Sequence, residues 1–204
     1  WEENCDQVAC LDWSPNGVEV ASGSKDGTIR RWNTSTGRQI GPPIKKSDEW
    51  VTTIKYSPQG DKFASSVIID ISVWSKDGEL LVEINGRDGA VTSLCWSKDG
   101  KYIFSATLDH TIRKWEWIDG KELVVIRGHT NFVTSLCLSS DGSHLISASY
   151  DYSVRIWDLE TNEQVGEPLW HDGHVEVVVM SNSSDGRYLA SAIPGPHAKI
   201  YVWS

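Results

Sequence analysis

No apolar run in these 204 residues approaches the ~18 needed for a helix to cross a bilayer, so no membrane span is expected. Lysine and arginine never cluster beyond a pair, and the net charge is −9. A phosphate backbone calls for several clustered cations, so a nucleic-acid partner is not expected. The same shortage disfavours an anionic membrane surface. The cysteines Cys5, Cys10, Cys95 and Cys137 show no CxxC spacing. Cys95 and Cys137, four residues past Val91 and Val133, read as small buried residues, and free thiols suggest a reducing compartment: the cytoplasm, or the nucleus. There is no initial Met and no charged-then-apolar leader; the sequence begins at Trp1. The N-terminus is therefore expected to have been removed, or the chain to be a piece of a longer protein. No nucleophile elbow, Walker loop or Ser/His/Asp set stands out, so neither an enzyme nor a cofactor is expected. Asn33-Thr-Ser and Asn182-Ser-Ser match the glycosylation acceptor, but so short a pattern arises easily by chance. No segment has helical periodicity, and nothing reads as a linker.

What the chain does have is tryptophan, eleven in all among only 39% apolar residues. Few but bulky apolar side chains suit short strands between stacked sheets. Trp32, Trp74, Trp115, Trp157 and Trp203 recur at intervals of 42, 41, 42 and 46 residues. Such a period means one structural unit copied in tandem. The copies run over approximately residues 5–46, 47–86, 87–128, 129–172 and 173–204. Val8, Val51, Val91, Val133 and Val177 start a first strand in each copy. Leu11, Ile54, Leu94, Leu136 and Met180 follow at the next apolar column, and Trp13, Tyr56, Trp96, Leu138 and Asn182 at the one after. The columns change parity once, which a bulge near the strand start explains. SPNG, SPQG, SKDG, SSDG and SSDG supply hairpin turns. A second strand, a tight turn, a third strand ending at the periodic Trp and a weaker fourth strand complete the unit. Four antiparallel strands leave two edges, which stacking around an axis protects. The expected fold is all-β: a β-propeller of four-stranded antiparallel blades with five repeats present, part of a larger propeller or an incompletely closed ring.

These phrases resemble the WD40 family of β-propellers over essentially the whole chain. The fourth copy is the fullest match, with Gly128-His129, Asp151 in the tight turn and Trp157-Asp158. The resemblance implies a structural tetrad of His129, Ser147, Asp151 and Trp157. The other copies depart from it. Copy one has Asn4 for His beside Ser22, Asp26 and Trp32. Copy three has Arg87 beside Ser105, Asp109 and Trp115. Copy two has Ile69 at the Asp place beside Ser65 and Trp74. Copy five has Ser191 and Trp203, with His174 taken as the tetrad histidine and an IPGPHA insertion in place of the Asp turn. Most of the N-terminal strand that usually completes the last blade is missing, so the edge after Trp203 is expected to invite pairing with another chain. The phrases TGRQIGPPI and TNEQVGEPLWHDGH also resemble WD40 arrays of fungal STAND-type proteins.

The remaining chemistry is sparse. His171 and His174 are spaced H-x-x-H, and His197 lies in the same copy. Zinc needs about four placed ligands, so His171 is read as solvated and no metal is expected. Asp26, Asp109 and Asp151 fall one per turn, a structural placement rather than a facing catalytic pair. In the family resembled, partners often dock around the axis where the first strand begins and the tight turn ends. That face here includes Gln7, Lys25, Trp50, Ile68, Leu108, Phe132, Tyr150 and Glu176, of which Trp50, Ile68, Leu108, Phe132 and Tyr150 form an unusually apolar and aromatic set. The expected function is a non-catalytic scaffold for proteins or peptides, with self-association through unpaired blade edges. Two other readings are a ligand-sensing array of a larger fungal STAND-type NTPase and a propeller hydrolase with a site at the axis. Fold alone does not choose among them.

Overall fold

A computed structural model describes residues 6–86, 88–172, 179–182, 187–193 and 199–203, with only the backbone for 179–182. The periodicity becomes successive antiparallel sheets, and no helix occurs among the described residues. Blade 1 is β1 (Val8–Trp13), β2 (Glu19–Ser24), β3 (Thr28–Asn33) and β4 (Ile44–Lys45). Blade 2 is β5 (Val51–Tyr56), β6 (Lys62–Val67), β7 (Asp70–Ser75) and β8 (Leu80–Ile84). Blade 3 is β9 (Val91–Trp96), β10 (Tyr102–Thr107), β11 (Ile112–Glu116) and β12 (Lys121–Ile126). Blade 4 is β13 (Val133–Leu138), β14 (His144–Ser149), β15 (Ser153–Asp158) and β16 (Gln164–Trp170). Blade 5 has three described strands, β17 (Val179–Asn182), β18 (Leu189–Ile193) and β19 (Lys199–Trp203).

Each blade is a meander because its turns are short and chemically specified. In the first hairpins, Gly17, Gly60, Gly100 and Gly142 all have φ between 70° and 79°, where a Cβ is disfavoured. The preceding Ser14, Ser57, Ser97 and Ser139 hydrogen-bond across the turn through both backbone and hydroxyl. The bulge sits one residue into the first strand, with register shifts at Val8/Cys10, Val51/Thr53 and Val133/Ser135. It brings a hydroxyl to bear on the neighbouring blade. Thr52 Oγ1 donates to the Val91 carbonyl at 2.9 Å, and Thr92 Oγ1 to that of Val133. The fourth strand of blade 1 is reduced to two residues. Pro42 and Pro43 just before it have no N–H to give the ladder.

The core lies between blades. Val51, Ile54, Tyr56, Phe63 and Trp74 of blade 2 pack on Ala21 and Ile29 of blade 1. Blade 3 meets blade 2 through Val91, Leu94, Trp96 and Trp115 against Ala64, Ile71 and Val73. Blade 4 meets blade 3 through Val133, Leu136 and Trp157 against Phe104, Ala106 and Ile112. Each blade therefore offers a Val/Leu/Trp face to the blade before it and an Ala/Ile/Val face to the blade after it. Among the described residues no strand pairing joins one blade's sheet to another's. Blade 5 is a separate sheet, and no pairing joins it to β1 among the described residues. Leu11 and Trp13 on β1 are 58% and 56% exposed, while their blade 2 counterparts Ile54 and Tyr56 are 1% and 7% exposed.

Candidate interaction face and the polar chains beneath it

Blade 4 holds the longest polar chain. Trp157 Nε1 donates to Ser147 Oγ at 2.8 Å, Ser147 Oγ lies 2.7 Å from His129 Nε2, and His129 Nδ1 lies 2.8 Å from Asp151 Oδ2. With the Ser147 hydroxyl donating to Nε2 and Nδ1–H donating to the carboxylate, every proton in the series has an acceptor. Asp151 also accepts from the backbone N–H groups of Thr130 and Ser153 and from the Ser153 hydroxyl. Burial would raise this carboxyl, but the bonds from His129 and Ser153 outweigh it and hold the pKa far below the usual range. All four residues are buried, so the chain satisfies groups that burial would otherwise penalise.

The Trp-to-Ser bond recurs in the other blades: Trp32 to Ser22 at 2.9 Å, Trp74 to Ser65 at 2.8 Å, Trp115 to Ser105 at 2.9 Å and Trp203 to Ser191 at 3.0 Å. The acid end differs. Asp26 is held by the N–H and hydroxyl of Thr28. Asp109 takes the same bonds from Thr111 and adds Arg113 Nη2 at 2.7 Å. Burial opposes ionisation of Asp109, yet the hydroxyls of Thr107 and Thr111 and the Arg113 guanidinium bring its pKa to about 2. Asn4 and Arg87 lie outside the described residues.

Two sequence assignments need correcting. His171, not His174, reaches the Ser of blade 5, with Nε2 at 2.7 Å from Ser191 Oγ. It is buried rather than solvated, and burial lowers its pKa. Its Nδ1 faces the Tyr152 carbonyl at 3.3 Å, a backbone acceptor in place of a turn aspartate. From this histidine to the first-strand residue opposite the serine is nine residues in blade 5 (His171 to Met180) and seven in blade 4 (His129 to Leu136), which misled a fixed-column alignment. His174 itself lies outside the described residues. Nor does Ile69 stand at an aspartate position. Val67 pairs directly with Asp70, so blade 2 has a two-residue turn, one residue shorter than in blades 1, 3 and 4, and the aspartate position is absent. The signal was present in the sequence: nine residues separate Ser65 from Trp74, against ten from Ser147 to Trp157.

Above these chains, the tight turns and strand entries form one face. The Tyr150 N–H bonds the Phe132 carbonyl, Leu108 bonds Ala90, and Lys25 bonds Gln7, so each turn is tied to its own strand entry. In blade 2 the turn instead reaches forward, and Val91 N–H bonds the Ile68 carbonyl at 2.7 Å. Trp50, Ile68, Leu108 and Phe132 are exposed, and Tyr150 is half-buried. Phe132 lies 6.0 Å from the Tyr150 ring and 5.7 Å from the His110 ring. His110 was not singled out from the sequence, although it follows Asp109 as Tyr152 follows Asp151. Lys25 Nζ sits 4.0 Å from the Trp50 ring centroid. The loop carrying Trp50 lies directly on the blade 1 turn, where a Cβ on Gly27 would come within 2.1 Å of the Ser47 carbonyl oxygen. Gly27, with φ of 78°, is what permits that approach. Glu176 lies outside the described residues.

The family model described as "WD domain, G-beta repeat" matches residues 2–33, 78–116 and 120–158, together more than half of the chain. The chain belongs to the WD40 family. It is similar to the F-box-like/WD repeat-containing protein TBL1X of Mus musculus, 29% identical over 125 residues, covering 54% of this chain and 24% of that protein. It is also similar to ribosome biogenesis protein erb1 of Neurospora crassa, 42% identical over 68 residues, covering 33% of this chain and 9% of that protein. The WD40 chain thus spans a quarter or less of the length of these relatives.

Near the axis of the WD40 blades lies a cavity of about 290 Å³, lined in part by Trp13, Lys55, Cys95 and Cys137. The Lys55 ammonium is tied to Asp12 Oδ1 at 2.9 Å, and Asp12 Oδ2 accepts the Tyr56 N–H. Cys10, Cys95 and Cys137 are free thiols. Burial pushes Cys95 up to about 12 and Cys10 and Cys137 up to about 11, which keeps them protonated and unreactive at neutral pH. Cys5 lies outside the described residues. No cluster of three or more metal-ligating side chains occurs among the described residues. His174 and His197 lie outside the described residues.

Proposed function

We propose that this WD40 chain is a non-catalytic scaffold that binds proteins or peptides through the face formed by the tight turns and strand entries. The observation that carries the reading is the run of apolar and aromatic side chains left outward there, with the Phe132 ring against both Tyr150 and His110 and Trp50 under Lys25. Exposed aromatics on rigid turns lose little conformational entropy on binding and carry a disproportionate share of interface energy. Gln7 and Lys25 form the polar margin over blade 1, and Ile68 and Leu108 extend the apolar part over blades 2 and 3. The net charge of −9 and the lack of basic clusters favour a protein partner over nucleic acid or an anionic membrane. Free, half-buried thiols favour a reducing compartment, the cytoplasm or the nucleus.

The test is capture from cell extract by three versions of the chain. Trp50→Ala, Phe132→Ala and Tyr150→Ala together should lose proteins that the wild type retains. Each single change should weaken binding by about 2 kcal/mol or more. The control Asp119→Ala/Asn162→Ala, in the turns that follow Trp115 and Trp157, should capture the same proteins as wild type. An unchanged set with the folded triple variant would move the interface elsewhere.

A further inference from the structure

The chain contains two Asn-Gly dipeptides, Asn16-Gly17 and Asn85-Gly86, and the fold treats them in opposite ways. Asparagine is among the thermolabile residues of proteins. Its side-chain carbonyl is open to attack by the next backbone nitrogen, and a following glycine puts no Cβ in the way. Asn16-Gly17 forms the first hairpin turn of blade 1. There the Gly17 N–H donates to the Ser14 carbonyl at 2.8 Å, so the nucleophile is engaged elsewhere. Asn16 Oδ1 is fixed too, accepting from the Ser14 hydroxyl at 2.8 Å and from the Val18 N–H at 3.1 Å. Asp99 and Asp141 make the same pair of contacts in blades 3 and 4, so this side chain is part of the turn. Asn85-Gly86 lies between β8 and β9, outside any strand or hairpin. Asn85 is exposed, and neither its amide nor the Gly86 N–H has a hydrogen-bond partner among the described residues. Gly86 is buried, and a Cβ on it would come within 2.0 Å of the Ile69 carbonyl oxygen. Its backbone therefore lies directly on the turn of blade 2.

We infer that Asn85-Gly86 is a site of spontaneous modification, where an isoaspartyl linkage enters the junction of blades 2 and 3, while Asn16-Gly17 is locked against the same chemistry. The Gly86 nitrogen gives its proton to hydroxide and bonds to Asn85 Cγ. The Cγ–Nδ2 bond breaks, and that nitrogen takes a proton and leaves as ammonia. Water then opens the cyclic imide at either of its carbonyls. Opening at Cγ restores the original chain with an aspartate side chain. Opening at the backbone carbonyl of residue 85 frees that carbon as a carboxylate and routes the chain through Cγ. The net change is one water taken up and one ammonia released, with no oxidant or reductant. The second product lengthens the main chain by a methylene where Gly86 touches Ile69, so the junction must move off the blade 2 turn. That turn is tied to the next blade by the Val91 N–H on the Ile68 carbonyl. A plain aspartate at the same place adds only an exposed charge. None of this rests on the proposed partner face, because the chemistry and its effect concern the chain alone.

The test ages the whole folded chain in mildly alkaline buffer and maps its peptides by mass. The Asn85 peptide should convert to aspartyl and isoaspartyl forms several-fold faster than the Asn16 peptide. In denaturant, where neither dipeptide keeps its surroundings, the two rates should come together. Equal rates in the folded chain, or faster conversion at Asn16, would overturn the inference. So would an Asn85 peptide that stays intact in the folded chain while it converts in denaturant. The structural consequence has its own readout. Aged wild type should accept methyl groups from an isoaspartate methyltransferase and melt at a lower temperature than fresh protein. Asn85→Gln aged alongside should do neither. Freshly prepared Asn85→Asp should melt like fresh wild type, as exposed substitutions usually do. Aged protein that carries isoaspartate at position 85 and melts unchanged would overturn its insertion into a packed junction. If Asn85→Gln melts early before ageing, Asn85→Ser takes its place under the same criteria.

Discussion

Blade 4 and blade 2 are built on the same packing and on opposite polar logic. Both bury their periodic Trp against the preceding blade, and both bond its ring N–H to a buried serine at 2.8 Å. Blade 4 continues that bond through His129 to Asp151 and the turn backbone. Blade 2 shortens the turn by a residue and has no counterpart of Asp151; Asp70, which closes the turn, has a buried Oδ1 without a hydrogen-bond partner among the described residues. At that end Lys46, arriving from the preceding segment, bonds Ser72 Oγ at 2.7 Å and pairs with Glu83 at 3.0 Å. The apolar columns therefore suffice to make a blade. The His–Asp chain belongs to a longer turn whose buried donors need an acceptor, and it becomes a liability only where it is present and broken.

The comparison breaks most sharply at the tryptophans. Trp157→Ala and Trp74→Ala should each cost about 3–5 kcal/mol, the range for emptying a buried aromatic site. Denaturant unfolding should give losses for the two within about 1 kcal/mol of each other. A far larger loss at Trp157 would mean that the polar chain, not packing, holds blade 4.

The aspartate comes next. Asp151→Ala strands His129 and the N–H groups of Thr130 and Ser153, and should cost about 1–3 kcal/mol. Ile69→Ala, in the shorter turn of blade 2, strands no polar group and should cost about 1 kcal/mol or less. Amide exchange should show blade 4 better protected than blade 2 in the wild type and no better after Asp151→Ala. Equal protection in the wild type would dissociate the chain from rigidity.

Much of this architecture could be read from the sequence, because a strand period of two and a repeat of about 42 residues leave few choices. The parity change after each first valine marked the bulge, and the Ser-x-x-Gly phrases marked the hairpins. What escaped was whatever depended on loop length. A column alignment assumes equal spacing, so it moved the blade 5 histidine from His171 to His174 and placed Ile69 at a position that blade 2 lacks. Arg113 as the partner of Asp109 was hidden for another reason. The same column holds Arg30 and Arg155, whose guanidinium groups reach Gln39 and Gln164 instead. Only the three-dimensional turn shows which acceptor each one meets.

Acid should separate the blades by chemistry. Asp109 has a folded pKa of about 2, against about 3.9 for an unfolded aspartate, so the folded state favours its ionised form. Its contribution is complete above pH ~4 and is lost as the pH falls toward ~2. Asp151 is shifted in the same direction. His171 acts at a higher pH. Burial lowers its pKa in the folded state, so the unfolded chain binds the proton first and stability declines as the pH drops below ~6.5. Unfolding midpoints from pH 7 downward should therefore fall in two stages. His171→Gln should flatten the first and Asp109→Asn the second, and neither should alter the turn of blade 2. A single stage untouched by both changes would contradict these assignments.

The smallest effect concerns backbone strain at the turns. Ile68 in blade 2 has φ of 53°, and Tyr152 in blade 4 has φ of 69°. Both are left-handed, but a β-branched residue there is the greater outlier, and two-residue hairpins favour glycine at such a position. Strain of this kind costs about 1–3 kcal/mol, while glycine carries an entropic cost of about 0.5–1 kcal/mol. Ile68→Gly keeps the carbonyl that accepts from Val91 N–H and gives up only an exposed side chain. It should gain about 1 kcal/mol, seen as a small rise in melting temperature, with Tyr152→Gly closer to neutral. Ile68 is also part of the proposed binding face. If that face is used, the same substitution should weaken partner capture while it strengthens the fold, because strained residues persist where function holds them. A variant that is more stable and binds equally well would leave the strain of blade 2 without a functional reason and would remove Ile68 from the interface.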